Sequence, residues 1–570
     1  MQKLGIGLNN DWFVNKTDID FPVETKWLLS LGRKFTLPTT KTSFQPIRMI
    51  AEIEQIIQQE KDDRVKEIAR CKLSNNIIQF KRNIRHNSAE KFILETFNKT
   101  KTFLKSHKDD IILTDADKGN KTVVMYKEDY TEKMNKLLDD KNTYKIVRND
   151  PTNALQRKNN TLVDELYKSK IIDYRGKQQL VCTAAIAPRL YKFLNILNFC
   201  LKDNNYFACN EKFYIQTFGM PMGNPLSPTI ADIIMDDLLN ATMIELKEIY
   251  KIDIQFIVKY VDDIFAIVKR KDVDIILKTL NKYHRKLQFT IETEANFRIP
   301  FLDVMIHRRN DSLILDWYSK PTSSGRLINY LSSQPSKYKI NTAKNLINKI
   351  LKISHQQFHD TNIKKIFNIL RSNNYPEHII HSLVKQITTQ INDKRNNPTI
   401  TTTNNETKRY YSVTYVPRLS EKIDRKEYTN NQNTILAYRS NHTLSSVFTK
   451  TKTPIEPHQQ NNVVYEITCE GSENEKCNRI YIGTTKRPLA VRLSEHEADI
   501  KKNKSNTALS QHISASGHTA DLTKTKIIDK EKRERTRFTL ESLRILQKRD
   551  KTMNKKEDTD DIATAYLLCL

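Results

Sequence analysis

The stretch FIVKYVDDIFAIV, residues 256–268, decides how this chain is read. It is apolar almost throughout, and β-branched and aromatic residues dominate it. Such a run reads as a strand, a turn and a second strand, all buried. At its centre stand two adjacent carboxylates, Asp262 and Asp263. Burying an ionised carboxylate is costly unless a cation or partner compensates. A hairpin tip carrying two of them is therefore a candidate divalent-metal site. Hard oxygen ligands suit Mg²⁺, which completes its shell with substrate phosphates. The competing reading is a polar turn with two solvated acids, since Asp is common in turns.

Upstream, residues 213–239 read FYIQTFGMPMGNPLSPTIADIIMDDLL. Gly219, Pro221, Gly223 and Pro225 punctuate the first half. Ile230, Ile233, Ile234, Leu238 and Leu239 then fall at helical spacing. A small-residue loop that opens a helix lets backbone approach a ligand closely. GMPMGNPLSP followed by YVDD, with a helix between, resembles motifs B and C of a reverse transcriptase palm. The resemblance implies polymerase catalysis at Asp262 and Asp263 with Mg²⁺ (or Mn²⁺). It also implies nucleotide or template contacts at Gly219, Pro221 and Gly223.

Composition fits a nucleic-acid partner. The chain has 570 residues, enough for two to four domains. Lys and Arg number 94 against 67 Asp and Glu, a net charge of +27, spread along the whole length. An excess of this size favours a polyanion. Seven cysteines, an odd count, do not suggest a disulfide framework and fit a reducing compartment. No apolar run is long enough to span a bilayer, so no membrane partner is expected.

Residues 1–109 read as a helical, polar and solvated region, with Ala51 to Phe80 at helix period. Residues 110–130, DIILTDADKGNKTVVMYKEDY, read as a hairpin with Asp117, Lys118, Gly119 and Asn120 at the turn. The alternative is a plain hairpin; the family resemblance places such a turn in the fingers and makes Lys118 a nucleotide contact. A palm needs a further carboxylate from an earlier strand, motif A. Here APRLY (187–191) runs directly into KFLNILNFCLKDNNYF (192–207), with no Asp between them. Asp203 stands at the far end of that helix, and Asp115 and Asp117 precede APRLY. A segment is therefore read as missing near Tyr191–Lys192, leaving an incomplete palm. Alternation in LQFTIETE (287–294) and FLDVMIHR (301–308) predicts strands. Residues 341–392 read as helices of a basic thumb, and the Asn/Thr-rich 393–408 as a linker.

Beyond a connector (409–455), the sequence NVVYEITCEGSENEKCNRIYIGTTKRPLAVRLSEHEADI places two strands around a charged insert, then a helix. This resembles the GIY-YIG nuclease core, with Val463 and Val464 in place of Gly-Ile. The resemblance assigns Tyr465 and Tyr481 as the tyrosines. It assigns Arg492 and His496 to the helix, Glu541 as the Mg²⁺ ligand and Asn554 as a weaker match. Phosphodiester hydrolysis needs an activated water, a metal and a cation for developing charge. Those residue types supply each. The alternative is a core tyrosine pair with surface charges. Cys469, Cys477, His512 and His518 form a Cys₂His₂ zinc set; the alternative is two buried thiols and two surface imidazoles.

Reverse transcriptase, linker and GIY-YIG module in that order resemble Penelope-like retroelement proteins. The implied architecture is α+β and multidomain. It comprises fingers and palm over 110–340, a helical thumb over 341–392, a small α/β nuclease over 456–555 and a tail over 556–570. The implied activity is target-primed copying of element RNA into chromosomal DNA, with deoxynucleotides as substrates. It would be carried out in the nucleus after synthesis in the cytoplasm. The missing motif A argues that the polymerase is inactive in the chain as written. The alternative is a polymerase-dead, nucleic-acid-binding remnant with or without a working nuclease. The residues downstream of the linker read as a module that folds by itself.

Overall fold

The computed structural model describes residues 7–149, 151–174, 176–177, 206–209, 212–221, 223–310, 312–396, 408–423, 428, 433–450, 455–472, 475–560 and 562–569. The chain opens with β1 (Phe13–Asn15), α1 (Val23–Ser30), α2 (Pro46–Ile57), α3 (Asp63–Arg82) and α4 (Ser88–Ser106). Pro46 starts α2, where its missing N–H costs nothing. Asn87 and Glu90 form a capping box at α4. The DKG segment is the expected hairpin. Its strands β2 (Ile111–Asp115) and β3 (Thr122–Tyr126) are antiparallel, and β1 lies parallel to β3.

The middle of the chain follows with α5 (Lys127–Leu138), β4 (Tyr144–Val147), α6 (Thr152–Lys168), β5 (Tyr206–Cys209) and β6 (Lys212–Gln216). Then come α7 (Ser227–Glu248), β7 (Phe256–Tyr260), β8 (Asp263–Ile267) and α8 (Val273–Lys282). A last three-stranded sheet is built from β9 (Arg298–Phe301), β10 (Val304–Arg309) and β11 (Ser312–Trp317). Strands β7 and β8 pair as expected, but the hairpin is not buried. Phe256 is 46% exposed, Tyr260 61% and Val261 63%. One face meets α7 and α8 around Leu246, Ile254 and Ile276. Among the described residues the sheet has only these two strands, so the other face is open. The segment 187–203, where motif A was sought, lies outside the described residues. LQFTIETE also departs from expectation: residues 288–294 form no strand, because alternation alone supplies no pairing partner.

Three helices then pack on one another: α9 (Ser336–Ile353), α10 (His359–Ser372) and α11 (Glu377–Asn396). Ile347, Ile350, Ile366, Leu370 and Ile380 are fully buried between them. Buried Asn373 accepts from the Leu327 amide (2.8 Å) and donates to the Gly325 carbonyl (2.9 Å), tying the preceding loop to this bundle. After the linker, β12 (Arg409–Thr414) and β13 (Thr434–Arg439) pair in parallel. The last module has strands β14 (Val463–Thr468) and β15 (Ile480–Thr485), helices α12 (Leu489–Lys501) and α13 (Ala508–Ser516), strand β16 (Lys526–Lys530) and helix α14 (Glu534–Gln547). Its antiparallel sheet has the order β15-β14-β16, which leaves β15 at an edge.

The N-terminal helices are not a solvated region. Helix α2 packs on α14 and β12, and residues 564–569 pack on α3. One core joins Ile50, Ile53, Ile57, Leu73 and Ile77 to Val464, Ile482, Leu540, Leu543 and Tyr566. The charges that made α2 look exposed are themselves buried. Glu52 is fully buried and accepts from the Thr414 amide at 2.6 Å, with Arg439 as its ion partner. Glu54 is bound by Arg70 and by the Tyr566 hydroxyl. Arg48 reaches Glu531 (3.3 Å) and Asp529 (3.4 Å). Each buried carboxylate thus has a cation or donor, as its desolvation demands. Most of these partners stand some 360 to 510 positions later in the chain, so helix periodicity alone cannot announce them.

Candidate active site and metal cluster

The last sheet sets the site by register. Tyr465 lies opposite Gly483, and Ile467 opposite Tyr481, so both tyrosines share one face of the β14–β15 pair. Gly483 is sterically required. A Cβ there would stand 2.6 Å from the Tyr465 hydroxyl and 2.9 Å from the Tyr481 ring. Helix α12 covers this face. Pro488 precedes it, and Leu489, Leu493 and His496 form its buried stripe. His496 Nε2 is 2.8 Å from the Tyr465 hydroxyl, and Arg492 Nε donates to the same oxygen at 3.3 Å.

Burial, helped by the nearby Arg492, lowers His496 to a pKa of about 4. The imidazole is therefore neutral near pH 7. Burial also holds the Tyr465 hydroxyl well above its usual range. The hydroxyl accepts from Arg492; in the tautomer in which it also donates to His496 Nε2, the imidazole proton stands on Nδ1. Nδ1 is buried and has no hydrogen-bond partner among the described residues. Tyr465, His496 and Arg492 thus form one connected line able to orient a hydroxyl and hold a proton. Arg492 is braced by Glu495 at 2.9 Å, which also pairs with Arg487.

Glu541 lies on α14, which packs across the sheet near edge strand β15. Burial raises its carboxyl to about 7, Asp558 pushes in the same direction, and Arg537 and Arg492 oppose them. Asp558 sits in what the sequence presented as a tail, and nothing in its local pattern marks it. Its position comes from a short 3₁₀ turn after Asn554. Asn554 bridges the edge of β15, accepting from the Ile482 amide and donating to the Ile482 carbonyl, both at 2.9 Å. Its amide also reaches Asp558 at 3.2 Å. Asn554 therefore positions the edge strand. A carboxylate held near neutrality beside a second carboxylate is a donor set that a divalent cation would complete.

Cys469, Cys477, His512 and His518 converge, with ligand atoms within 4.8 Å of one another. Cys469 Sγ is 3.6 Å from His518 Nδ1, and Cys477 Sγ is 3.6 Å from His512 Nε2. The two imidazole nitrogens are 3.3 Å apart. A tetrahedron built on Zn–S of about 2.3 Å and Zn–N of about 2.05 Å has S–N edges of about 3.6 Å and N–N edges of about 3.3 Å. The observed spacings match those edges, so the donor set fits a tetrahedral ion with nitrogen and sulfur ligands.

Asp262 and Asp263 lie at the exposed hairpin tip. The two-residue turn places Val261 at φ +57°, a left-handed conformation that a β-branched residue adopts only under strain. Among the described residues no third acidic side chain clusters with them. Asp115 is elsewhere, at the end of β2, paired with Arg33 at 2.9 Å. In the GMPMG loop, Gly219 (φ +78°) and Gly223 (φ +91°) both take left-handed backbone. Pro221 accepts from the Ser227 hydroxyl at 2.8 Å, folding the loop onto the start of α7. Lys118 is exposed on its turn. The neighbouring Asn120 is bound to Arg326 at 2.9 Å, from the loop after β11.

Against known proteins, no curated protein and no solved structure matches this chain. Two family models do. Residues 326–385, across the helices expected to form a thumb, match the animal helix-turn-helix domain. Residues 178–294, which hold the GMPMG loop and the YVDD hairpin, match the reverse transcriptase (RNA-dependent DNA polymerase) model. The chain thus carries a reverse transcriptase domain followed by a helix-turn-helix segment, a combination that supports a retroelement reverse transcriptase.

Proposed function

We propose that the C-terminal module is a metal-dependent DNA-nicking nuclease of the GIY-YIG type, joined to a reverse transcriptase of the Penelope-like kind. The observation that carries this reading is the Tyr465–His496–Arg492 line beneath Gly483. In it, Tyr465 fixes an attacking water, and the neutral His496 takes up the phenolic proton as the phenol accepts one from that water. Arg492 binds the scissile phosphate with the N–H groups that Glu495 leaves free. Glu541 and Asp558 would hold Mg²⁺, which when bound supplies charge stabilisation at the phosphate. Cys469, Cys477, His512 and His518 would hold Zn²⁺ as a structural ion.

The nick would free a 3′ end for target-primed copying of an RNA template in the nucleus. Asp262 and Asp263 would serve the polymerase, with Lys118, Gly219, Pro221 and Gly223 toward nucleotide and template. The absence of an acid in residues 187–202 favours a polymerase that extends primers poorly. The test is supercoiled-plasmid nicking by the full chain with Mg²⁺ and no nucleotides. Arg492→Ala should lower the rate about 10²–10³-fold with DNA binding kept, the loss typical of one donor aimed at developing charge. Wild-type nicking by that variant, or by Glu541→Gln, refutes the nuclease assignment. Robust primer extension abolished by Asp262→Ala refutes the weak-polymerase reading.

A further inference from the structure

A cavity of about 220 Å³ lies away from these sites, where the second half of α3 meets the start of α4 and the turn after β12. A single water needs only about 10–15 Å³ on this measure. The space suits a larger group. Asn76, Gln79 and Asn83 line one side at helix spacing, and their carboxamides make no hydrogen bond within the described residues. Phe80 lines the same cavity, its ring braced edge-on by Phe44 at 5.0 Å.

The far wall is cationic. Arg85, Arg418 and Lys422 line it against a single carboxylate, Glu90, which binds Arg418 at 2.8 Å and lies 3.7 Å from His86. Three Lys and Arg side chains against one carboxylate leave two positive charges unanswered at the wall. Arg418 itself sits at φ +67°, a strained position for a non-glycine residue, and its guanidinium also donates to the Arg85 carbonyl.

Unpaired carboxamides can read the edge of a base, a braced aromatic ring can stack with it, and flanking cations bind phosphate. We propose that this cavity holds one unstacked nucleotide of a single strand, with its base between Phe80 and the carboxamides and its phosphates on Arg85 and Lys422. The proposal rests on reading the chain as a nucleic-acid enzyme, but its test involves no chemistry.

The test measures binding of the full chain, without divalent metal, to a 12-nucleotide single strand (RNA and DNA separately) and to a 12-base-pair duplex. Asn76→Ala with Asn83→Ala removes no hydrogen bond of the fold. It should weaken single-strand binding at least about fivefold, the low end for loss of one held base. Duplex binding should stay within twofold. Lys422→Glu should weaken single-strand binding further and flatten its salt dependence. Ultraviolet crosslinking of the bound strand should map to the 76–86 segment. A larger loss for RNA than for DNA would assign the cavity to the template; equal losses assign it to either strand. Unchanged single-strand affinity in the double variant, or parallel loss on strand and duplex, overturns the proposal. Failure of the plasmid-nicking test leaves this binding result unaffected.

Discussion

The shared core makes a strong demand on the C-terminal module. In the intact chain Val464, Ile482, Leu540 and Leu543 are fully buried in the core that α2 and α3 complete. A fragment starting at residue 408 would lose that cover. Burying one such side chain contributes about 1.5–3 kcal/mol, so exposing the four costs on the order of 6 kcal/mol even at the lower figure. Glu52 and Glu54 would leave with α2, stranding Arg439 and Tyr566. Domains are typically stable by only about 5–15 kcal/mol. The fragment should therefore be marginal or unfolded, contrary to the independent module that the linker suggests. The assay is thermal unfolding with Zn²⁺ present, for the fragment alone and for the fragment co-expressed with residues 7–126. At about 2–4 °C per kcal/mol for a chain of this size, the N-terminal segment should raise the midpoint by roughly 12–24 °C. Equal midpoints would refute the reasoning. In the intact chain, Ile53→Ala should cost about 2–5 kcal/mol by the cavity it leaves and should destabilise the C-terminal module with it.

Further outcomes follow from the site. Glu541, raised to about 7, contributes stability in its protonated form that is present below the unfolded carboxyl range and is lost as pH rises through 7. Metal-free protein should thus melt lower at pH 8 than at pH 5.5, and Glu541→Gln should show a smaller difference; an unchanged difference contradicts the burial argument. Gly483→Ala should displace the Tyr465 ring, cost about 1–3 kcal/mol as an overpacked site and abolish nicking, all readable by melting and plasmid assay. Cys469→Ser should lower the melting temperature of the module and remove the effect of chelators on it, since structural zinc supplies folding energy. Val261→Gly should raise stability by about 1 kcal/mol by relieving a left-handed β-branched residue, and an unchanged denaturation midpoint would mean the turn is unstrained.

The convergence of Tyr465, Arg492 and His496 was legible in the sequence because its signals are local. Tyr465, Tyr481 and Gly483 follow strand alternation, and Arg492 and His496 are one helical turn apart on α12. The convergence of Cys469, Cys477, His512 and His518 was expected from residue type together with the family resemblance, since their spacing alone is loose. What stayed hidden depends on distant partners. Glu52 and Glu54 read as solvent-facing because Arg439 and Tyr566 lie hundreds of residues away. Asp558 carries no pattern at all, and enters the site only because Asn554 fixes the strand edge. LQFTIETE alternates without a strand beside it. The YVDD hairpin read as buried because its composition is apolar, and composition cannot report whether a second layer arrives.

The docking of Tyr566 against Glu54 also bears on the order in which the protein is made. Chains fold as they leave the ribosome, and N-terminal segments fold first. Here α2 and α3 emerge early but cannot complete their core until residues 564–569 have followed nearly five hundred positions later. In that interval the reverse transcriptase domain is already synthesised and free to fold. A product that ends before Tyr566 leaves this shared core open. Closure of the C-terminal core is thereby reserved for chains translated through the reverse transcriptase domain as well.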